Sequence, residues 1–178
     1  MTKSMLVIPV NEHDHIEGSL NAPIILVEYG DYECPHCRHA RQVVKELRRK
    51  FGESLGFVFR NFPLTIVHPH AELAAEAAEA SGAQGKFWEM HDQLFENQEA
   101  LEFDNLIEYA DAIGLDPILF LRDIQEHRYA NRVRDDVMSG ARSGVNGTPT
   151  FFINGIRHDG ANEIAPLQSA IEHGTILV

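Results

Sequence analysis

The spacing of apolar residues changes along the first third of the chain, and each change marks an element. Residues 23–29, PIILVEY, form a nearly continuous apolar run of strand length, typical of a strand covered on both faces. Residues 37–51 place apolar side chains three and four positions apart, which predicts a helix, and residues 55–62 return to strand character. The pattern predicts a strand–helix–strand unit with residues 34–37 at the start of its helix.

The middle of the chain is predicted to be helical. Asp104 and Asp116 are predicted to cap two of the helices, and Pro117 suits the first position of the second. The predicted helical segments are residues 70–82, 85–98, 103–114, 115–124 and 126–143.

The end of the chain returns to strands. TPTFFI at residues 148–153 and IRH at residues 156–158 flank Asn154–Gly155, a pair that favours a two-residue hairpin turn. A last helix is predicted over residues 162–173. Without the helical block, the chain predicts a small four-stranded sheet flanked by helices.

Charge narrows the possible partners. Acidic residues outnumber basic ones by 27 to 15, which gives a formal net charge of −12. Such a chain repels phosphate backbones and anionic membrane surfaces, so neither nucleic acid nor a membrane is an expected partner. The row Glu72, Glu76 and Glu79 is expected to be a solvated helix face.

The first residues do not predict export. MLVIPV at residues 5–10 is shorter than the apolar stretch of a secretory signal, about 7–15 residues, and no run approaches the ~20 apolar residues of a membrane span. We therefore expect a cytoplasmic protein. Because cytosolic thiols are kept reduced, a lone cysteine pair there is more often catalytic or metal-binding than a structural disulfide.

The candidate chemistry lies in Cys34-Pro35-His36-Cys37, which contains both cysteines of the chain. At the start of a helix, backbone N–H groups without partners and the helix dipole favour a thiolate on Cys34. Pro35 suits the first helical turn, and His36 can bring a donor or a positive charge beside the sulfur. Cys37 lies one turn deeper, where loss of hydration keeps its pKa high. We expect Cys34 to attack a disulfide and Cys37 to resolve the product, without a cofactor.

From these residues alone, other interpretations stay open. The cysteines could form half of a zinc site completed by His39, His68 or His70. The chain could also be a chaperone that does not depend on a disulfide.

The tetrapeptide resembles that of the DsbA-like branch of the thioredoxin superfamily. VNGTPTFFINGIRHDGA at residues 145–161 is similar to that branch's second active-site segment, and residues 68–98 resemble its inserted helical domain. The resemblance implies a thioredoxin fold, a central mixed sheet of about four strands flanked by helices. It also implies two parts of a thioredoxin-like domain, residues 15–64 and 141–178, separated by an inserted helical domain at residues 65–140.

The resemblance also implies roles for residues outside the tetrapeptide. Pro149 is expected to be a cis proline lying against the cysteines, with the backbone of Thr148 exposed to pair with an extended substrate. Together with Pro35, these residues form the expected substrate platform. Glu28 matches a buried acidic residue that handles protons, although it could instead reach the sheet edge or pair with Arg60.

The implied function is thiol–disulfide exchange. Protein or peptide thiols and disulfides are the expected substrates, and a redox recycling partner is implied. The direction of exchange is left open, because the Pro-His dipeptide favours an oxidant and a cytoplasmic location favours reduction.

Overall fold

The computed structural model describes residues 4–174, and in that range the chain forms five strands and seven α-helices. The predicted strand–helix–strand unit is confirmed at β2, α1 and β3. The strands are β1 (His15–Glu17), β2 (Ile24–Gly30), β3 (Leu55–Asn61), β4 (Thr150–Ile153) and β5 (Ile156–Arg157). The helices are α1 (Pro35–Phe51), α2 (Ala71–Ala83), α3 (Phe87–Glu96), α4 (Phe103–Ala112), α5 (Pro117–Gln125), α6 (Ala130–Arg142) and α7 (Ile164–Gly174).

The strands form one mixed sheet in the order β1-β3-β2-β4-β5. β2 pairs with β3 in parallel, and the other neighbours are antiparallel. The prediction of about four strands omitted β1, because His15–Glu17 is three residues long and carries no apolar run. Pairing with β3, rather than a local pattern, makes it a strand.

Both faces of the sheet are covered, which explains the nearly continuous apolar character of β2. On one face, Leu26 and Phe59 pack with α1, α2 and α3 in the larger core. On the other face, Val27, Tyr29 and Phe152 belong to a second, smaller core. Glu28 pairs in register with Phe59 and therefore shares the face that α1 covers.

The helices α2 to α6 separate β3 from β4 along the chain, where the inserted domain is predicted. α2 packs against α3, α5 and α6, so it is buried on most sides. The prediction of a solvated face on α2 is confirmed for Glu72, which is exposed. It is wrong for Glu76 and Glu79, which are only 3% and 4% exposed. The Glu79 carboxylate accepts a hydrogen bond from Asn61 at 2.7 Å and lies 2.8 Å from the His15 ring.

Two helix caps give opposite results. The Asp116 carboxylate accepts from the backbone N–H groups of Ile118 and Leu119, which confirms that cap. The predicted Asp104 cap is wrong, since α4 begins earlier and Glu102 closes a reciprocal capping box with Asn105.

The predicted hairpin is confirmed. Asn154 and Gly155 have φ values of 46° and 80°, as a two-residue turn between β4 and β5 requires. The predicted second part of the thioredoxin-like domain runs to residue 178, and its last four residues lie outside the described range. Every helix in residues 4–174 falls short of the length or apolar content needed to cross a bilayer.

Candidate active site

The cysteine pair lies where β2 gives way to α1. Cys34 has extended backbone angles and is the N-cap of α1, and Pro35 is its first helical residue. Gly30 ends β2 directly below this point, where a Cβ would come within 2.8 Å of Phe59 Cζ. The Phe59 ring of β3 can lie against the end of β2 because residue 30 has no side chain.

Cys34 combines burial with stabilising contacts for its anion. Its side chain is 4% exposed, and its thiol donates to the Thr148 carbonyl oxygen at 3.5 Å. A hydrogen bond from the Cys37 thiol lowers the pKa of Cys34 to about 5, against the opposing effect of burial. Contacts from the backbone N–H groups of Cys37 and His36 act in the same direction.

Cys37 has the opposite character. Its side chain is fully buried, and burial raises its pKa well above the ordinary value, with a further rise from the hydrogen bond to Cys34 and the charge of Glu28. The backbone N–H of Asp31 donates to Cys37 Sγ at 3.4 Å. Both cysteines are free thiols. One helical turn thus holds an acidic sulfur beside one that keeps its proton.

Glu28 lies under the pair, within the sheet. It is 1% exposed, and burial raises its pKa to about 8; the Cys34 charge adds to the rise and Arg41 opposes it. Its Oε1 atom has no hydrogen-bond partner among the described residues. A side chain in this position carries a proton near neutral pH and can exchange it.

The alternative prediction, that Glu28 pairs with Arg60, is wrong. Arg60 pairs in register with Tyr29, on the opposite face of the sheet, and its guanidinium donates to Asp14 at 2.8 Å and 2.9 Å. Neighbouring strand residues point to opposite faces, so Arg60 cannot reach the Glu28 side.

The second active-site segment faces the first. The Thr148–Pro149 peptide bond is cis and immediately precedes β4. The Asn162 side chain donates to the Pro149 carbonyl oxygen at 3.1 Å. A cavity of about 240 Å³ opens beside Pro149 and is lined by His36, His39, Pro149, Ala161, Asn162 and Glu163.

The remaining predicted residues lie at the surface of the site. Pro35 and His36 are exposed, and the contact from His36 to the Cys34 sulfur comes from its backbone N–H. Tuning of the sulfur by the His36 imidazole stays a prediction. His39 is exposed and contributes to the wall of the cavity beside Pro149.

The sequence did not predict two residues that anchor the site, Gln98 and Tyr32. The buried Gln98 side chain donates to the carbonyl oxygens of Tyr32 and Cys34, both at 2.8 Å, and so fixes the loop that enters α1. The Tyr32 hydroxyl lies 2.9 Å from His91 Nδ1 in the core. No local pattern marks Gln98, because the contact joins residues 64 positions apart.

Of the three histidines considered as zinc ligands, His68 and His70 contact carboxylates. His68 Nδ1 lies 2.8 Å from Asp31 Oδ2, and His70 Nδ1 lies 3.0 Å from Glu33 Oε1. Among residues 4–174, no group of three or more His, Cys, Asp or Glu side chains is placed to hold a metal ion.

Comparisons with known proteins agree with this geometry. The family model for thioredoxin matches residues 10–173. The crystal structure of oxidised BdbD from Bacillus subtilis matches with a TM-score of 0.85 and 22% identity, covering 98% of this chain and 100% of that one. A thioredoxin-like oxidoreductase from Silicibacter pomeroyi DSS-3 matches with a TM-score of 0.81 and 26% identity, covering 92% and 93%. The predicted fold is confirmed.

Curated relatives are more similar in sequence but much longer. Na(+)/H(+) antiporter NhaA 1 from Mycobacterium sp. (strain KMS) is 48% identical over 172 residues, which are 95% of this chain and 28% of that protein. The protein of the same name from Salinispora arenicola is 46% identical over 167 residues, 93% of this chain and 26% of that one. This chain therefore spans about a quarter of the length of these relatives.

Proposed function

This chain belongs to the thioredoxin superfamily, and we propose that it is a thiol–disulfide oxidoreductase that exchanges a Cys34–Cys37 dithiol for a disulfide. One observation carries the proposal. Two sulfurs one helical turn apart have opposite pKa shifts, to about 5 for Cys34 and well above the ordinary value for Cys37. Exchange needs this arrangement, because one sulfur must attack as an anion while the other stays protonated until it is required.

In the first step, the Cys34 thiolate attacks one sulfur of a substrate disulfide. A new S–S bond forms to Cys34, the substrate S–S bond breaks, and the second substrate sulfur leaves as a thiolate that takes a proton from water. The negative charge on Cys34 disappears in this step.

In the second step, Cys37 loses its proton and attacks the Cys34 sulfur. The mixed disulfide breaks, the first substrate sulfur leaves, and the protein holds a Cys34–Cys37 disulfide, so two electrons have passed to the substrate. Glu28 is the proposed proton acceptor. The Cys34 charge contributes to its raised pKa, so forming the mixed disulfide lowers that pKa and favours the carboxylate when Cys37 must lose its proton.

Thr148 and Pro149 are the proposed substrate platform, with Pro35 at its edge. The Thr148 carbonyl lies 3.5 Å from Cys34 Sγ, so an extended segment that pairs with this backbone would bring its own sulfur beside the nucleophile. Protein and peptide thiols or disulfides are therefore the proposed substrates. A redox partner must restore the starting form.

The same steps run in reverse oxidise a substrate dithiol. A pKa this low stabilises the reduced form of the protein, which favours the oxidising direction, although the redox conditions of the compartment set the net flow. A cytoplasmic location stays a prediction. The transport activity in the names of the curated relatives is attributed to those longer proteins.

Trapping of the mixed disulfide tests the proposal. Cys37→Ser should accumulate a covalent adduct between Cys34 and a disulfide-bearing peptide, detected by mass spectrometry as the added mass of one peptide thiol. Cys34→Ser should form no adduct and lose all exchange activity. Glu72→Gln, at an exposed carboxylate on α2, should behave as the unmutated protein. Exchange activity retained in Cys34→Ser would refute the mechanism.

A further inference from the structure

Two carboxylate–histidine contacts join the active-site loop to the segment between β3 and α2. Asp31 and Glu33 are two positions apart, and so are their partners His68 and His70. The distances are 2.8 Å from Asp31 Oδ2 to His68 Nδ1 and 3.0 Å from Glu33 Oε1 to His70 Nδ1. The matched spacing makes a double clasp, which we define as these four residues.

Asp31 is the member of the clasp that contacts the redox pair. Its backbone N–H donates to Cys37 Sγ at 3.4 Å, and its carbonyl oxygen accepts from the Cys34 N–H at 3.2 Å. Its buried carboxylate also accepts from the backbone N–H groups of Glu33 and Leu64, both at 2.8 Å. Asp31 therefore connects His68 to the Cys37 sulfur and to the backbone of Cys34.

The two histidines differ in burial. The side chain of His68 is 19% exposed and that of His70 is 43% exposed, so the charge of His68 is less screened by water. Although burial works against it, the hydrogen bond to Asp31 raises the pKa of His68, and the negative charges of Asp31, Cys34 and Glu33 add to the rise. A raised pKa keeps more of the imidazole charged at neutral pH.

We propose that His68 is a positioning residue for the redox pair: held on Asp31, its imidazolium places a positive charge near the Cys34 sulfur and makes the disulfide more oxidising. This inference rests on the proposed function and deepens it. The charged groups that face His68 are Asp31 and Glu33 from the loop before α1 and the Cys34 thiolate at its start, while His70 in its own segment is paired with Glu33.

The coupling is reciprocal. If His68 stabilises the thiolate, the thiolate must stabilise the imidazolium by the same free energy. Oxidation removes the thiolate charge, so His68 should bind its proton less tightly in the disulfide form. Oxidation should therefore release part of a proton from His68 in the pH range between the pKa of His68 in the oxidised protein and its higher pKa in the reduced protein.

Three variants separate the charge of His68 from its hydrogen bond. His68→Asn keeps an N–H donor for Asp31 but carries no charge, and His68→Ala removes both. His70→Asn is the matched control. Each reduced protein is titrated by the ultraviolet absorbance of the thiolate and equilibrated with glutathione.

We expect both His68 variants to raise the Cys34 pKa by about one unit and to make the pair about tenfold less oxidising at neutral pH. His70→Asn should leave both quantities unchanged. On the unmutated protein, the imidazole proton resonances of His68 should titrate at a higher pH in the reduced form than in the oxidised form.

The inference is overturned if His68→Asn matches the unmutated protein, whether or not His68→Ala is altered, because the charge would then have no effect. A His68 titration that does not depend on the redox state would overturn it as well. The thiolate and imidazole titrations report protonation without thiol–disulfide exchange, unlike the equilibrium with glutathione. A protein with the expected titrations but no exchange activity would refute the proposed function alone.

Discussion

At the scale of the residue, the site depends on two identical side chains in different surroundings. Cys34 receives a hydrogen bond from the Cys37 thiol and contacts from backbone N–H groups, whereas burial dominates at Cys37. The sequence could predict this division, because the first sulfur of a pair at a helix start meets the unpaired N–H groups and the second faces the core. It could not predict the contribution of Thr148, which lies 114 positions from Cys34.

Glu28→Gln tests the proton acceptor proposed for the second step. The amide cannot accept the Cys37 proton, so release of substrate from the mixed disulfide should slow by about 100-fold, while formation of the mixed disulfide keeps its rate. Rapid acid quenching followed by mass spectrometry measures both rates. Glu72→Gln, at an exposed carboxylate on α2, is the control and should change neither. An unaltered release rate in Glu28→Gln would remove Glu28 from the mechanism.

At the scale of the element, the carboxyl end of β2 requires a close approach of the Gly30 backbone to the Phe59 ring of β3. Gly30→Ala places a methyl group against the buried Phe59 ring and the Glu28 carboxylate, so we expect a loss of about 1–3 kcal/mol in the free energy of unfolding. Gly147→Ala is the control, since a Cβ there meets no atom within 4 Å in the described structure and should change stability by less than about 0.5 kcal/mol. Urea denaturation measures both. Equal stabilities would show that the Phe59 ring can move aside without cost.

Helix capping gives a second prediction at this scale. Asp116→Ala removes the side chain that accepts from two N–H groups at the start of α5 and should cost about 1 kcal/mol. Asp104 lies inside the first turn of α4, which Glu102 caps. Asp104→Ala should therefore reduce the free energy of unfolding by clearly less than Asp116→Ala does. A larger loss for Asp104→Ala in thermal or urea unfolding would mean that the Glu102 capping box does not hold in solution.

These elements show which features a sequence can predict. Periodicity, capping residues and turn residues predicted the features that depend on neighbours within a few positions. These features are β2, α1, the Asp116 cap and the Asn154–Gly155 turn. β1 escaped prediction because it exists by pairing with β3. The burial of Glu76 and Glu79 was not predicted, because acidic side chains in a helix ordinarily face water. Helices that come later in the chain cover these two side chains.

At the scale of the whole molecule, the helices between β3 and β4 are tied to the sheet by buried polar contacts. Asp136 of α6 accepts from the backbone N–H of Asn61 at 2.9 Å, and Asn61 donates to Glu79 of α2. The double clasp adds contacts at the active-site loop. The predicted division at residues 65 and 140 therefore separates parts of the chain that pack together.

The free energy of unfolding should depend on the redox state of the cysteine pair. The pKa of Cys34 falls from 9.0 to about 5 on folding, so its contribution to the stability of the reduced protein is present above pH 9 and is lost as pH falls through about 5. The oxidised protein lacks this contribution. The difference in the free energy of unfolding, reduced minus oxidised, should therefore rise between pH 5 and pH 9.

Other groups oppose this rise without reversing it below pH 9. Cys37, whose pKa is raised, acts only as pH approaches its ordinary pKa of 9.0. Glu28 has the opposite sign because its pKa is raised, but burial, its main cause, is present in both redox forms and largely cancels. Urea denaturation of both forms across this range measures the difference, and reduced Cys34→Ser is the control without the rise. A difference independent of pH would contradict a folded-state thiolate.

Titration of Cys34 in the reduced protein tests the central claim most directly. The ultraviolet absorbance of the thiolate is followed against pH, and the same curve for Cys34→Ser is subtracted. A midpoint at about 5 is the predicted result, because the Cys37 hydrogen bond and the N–H groups at the start of α1 stabilise the anion. A midpoint at about 8.5, the value of a cysteine in an unstructured peptide, would contradict the account.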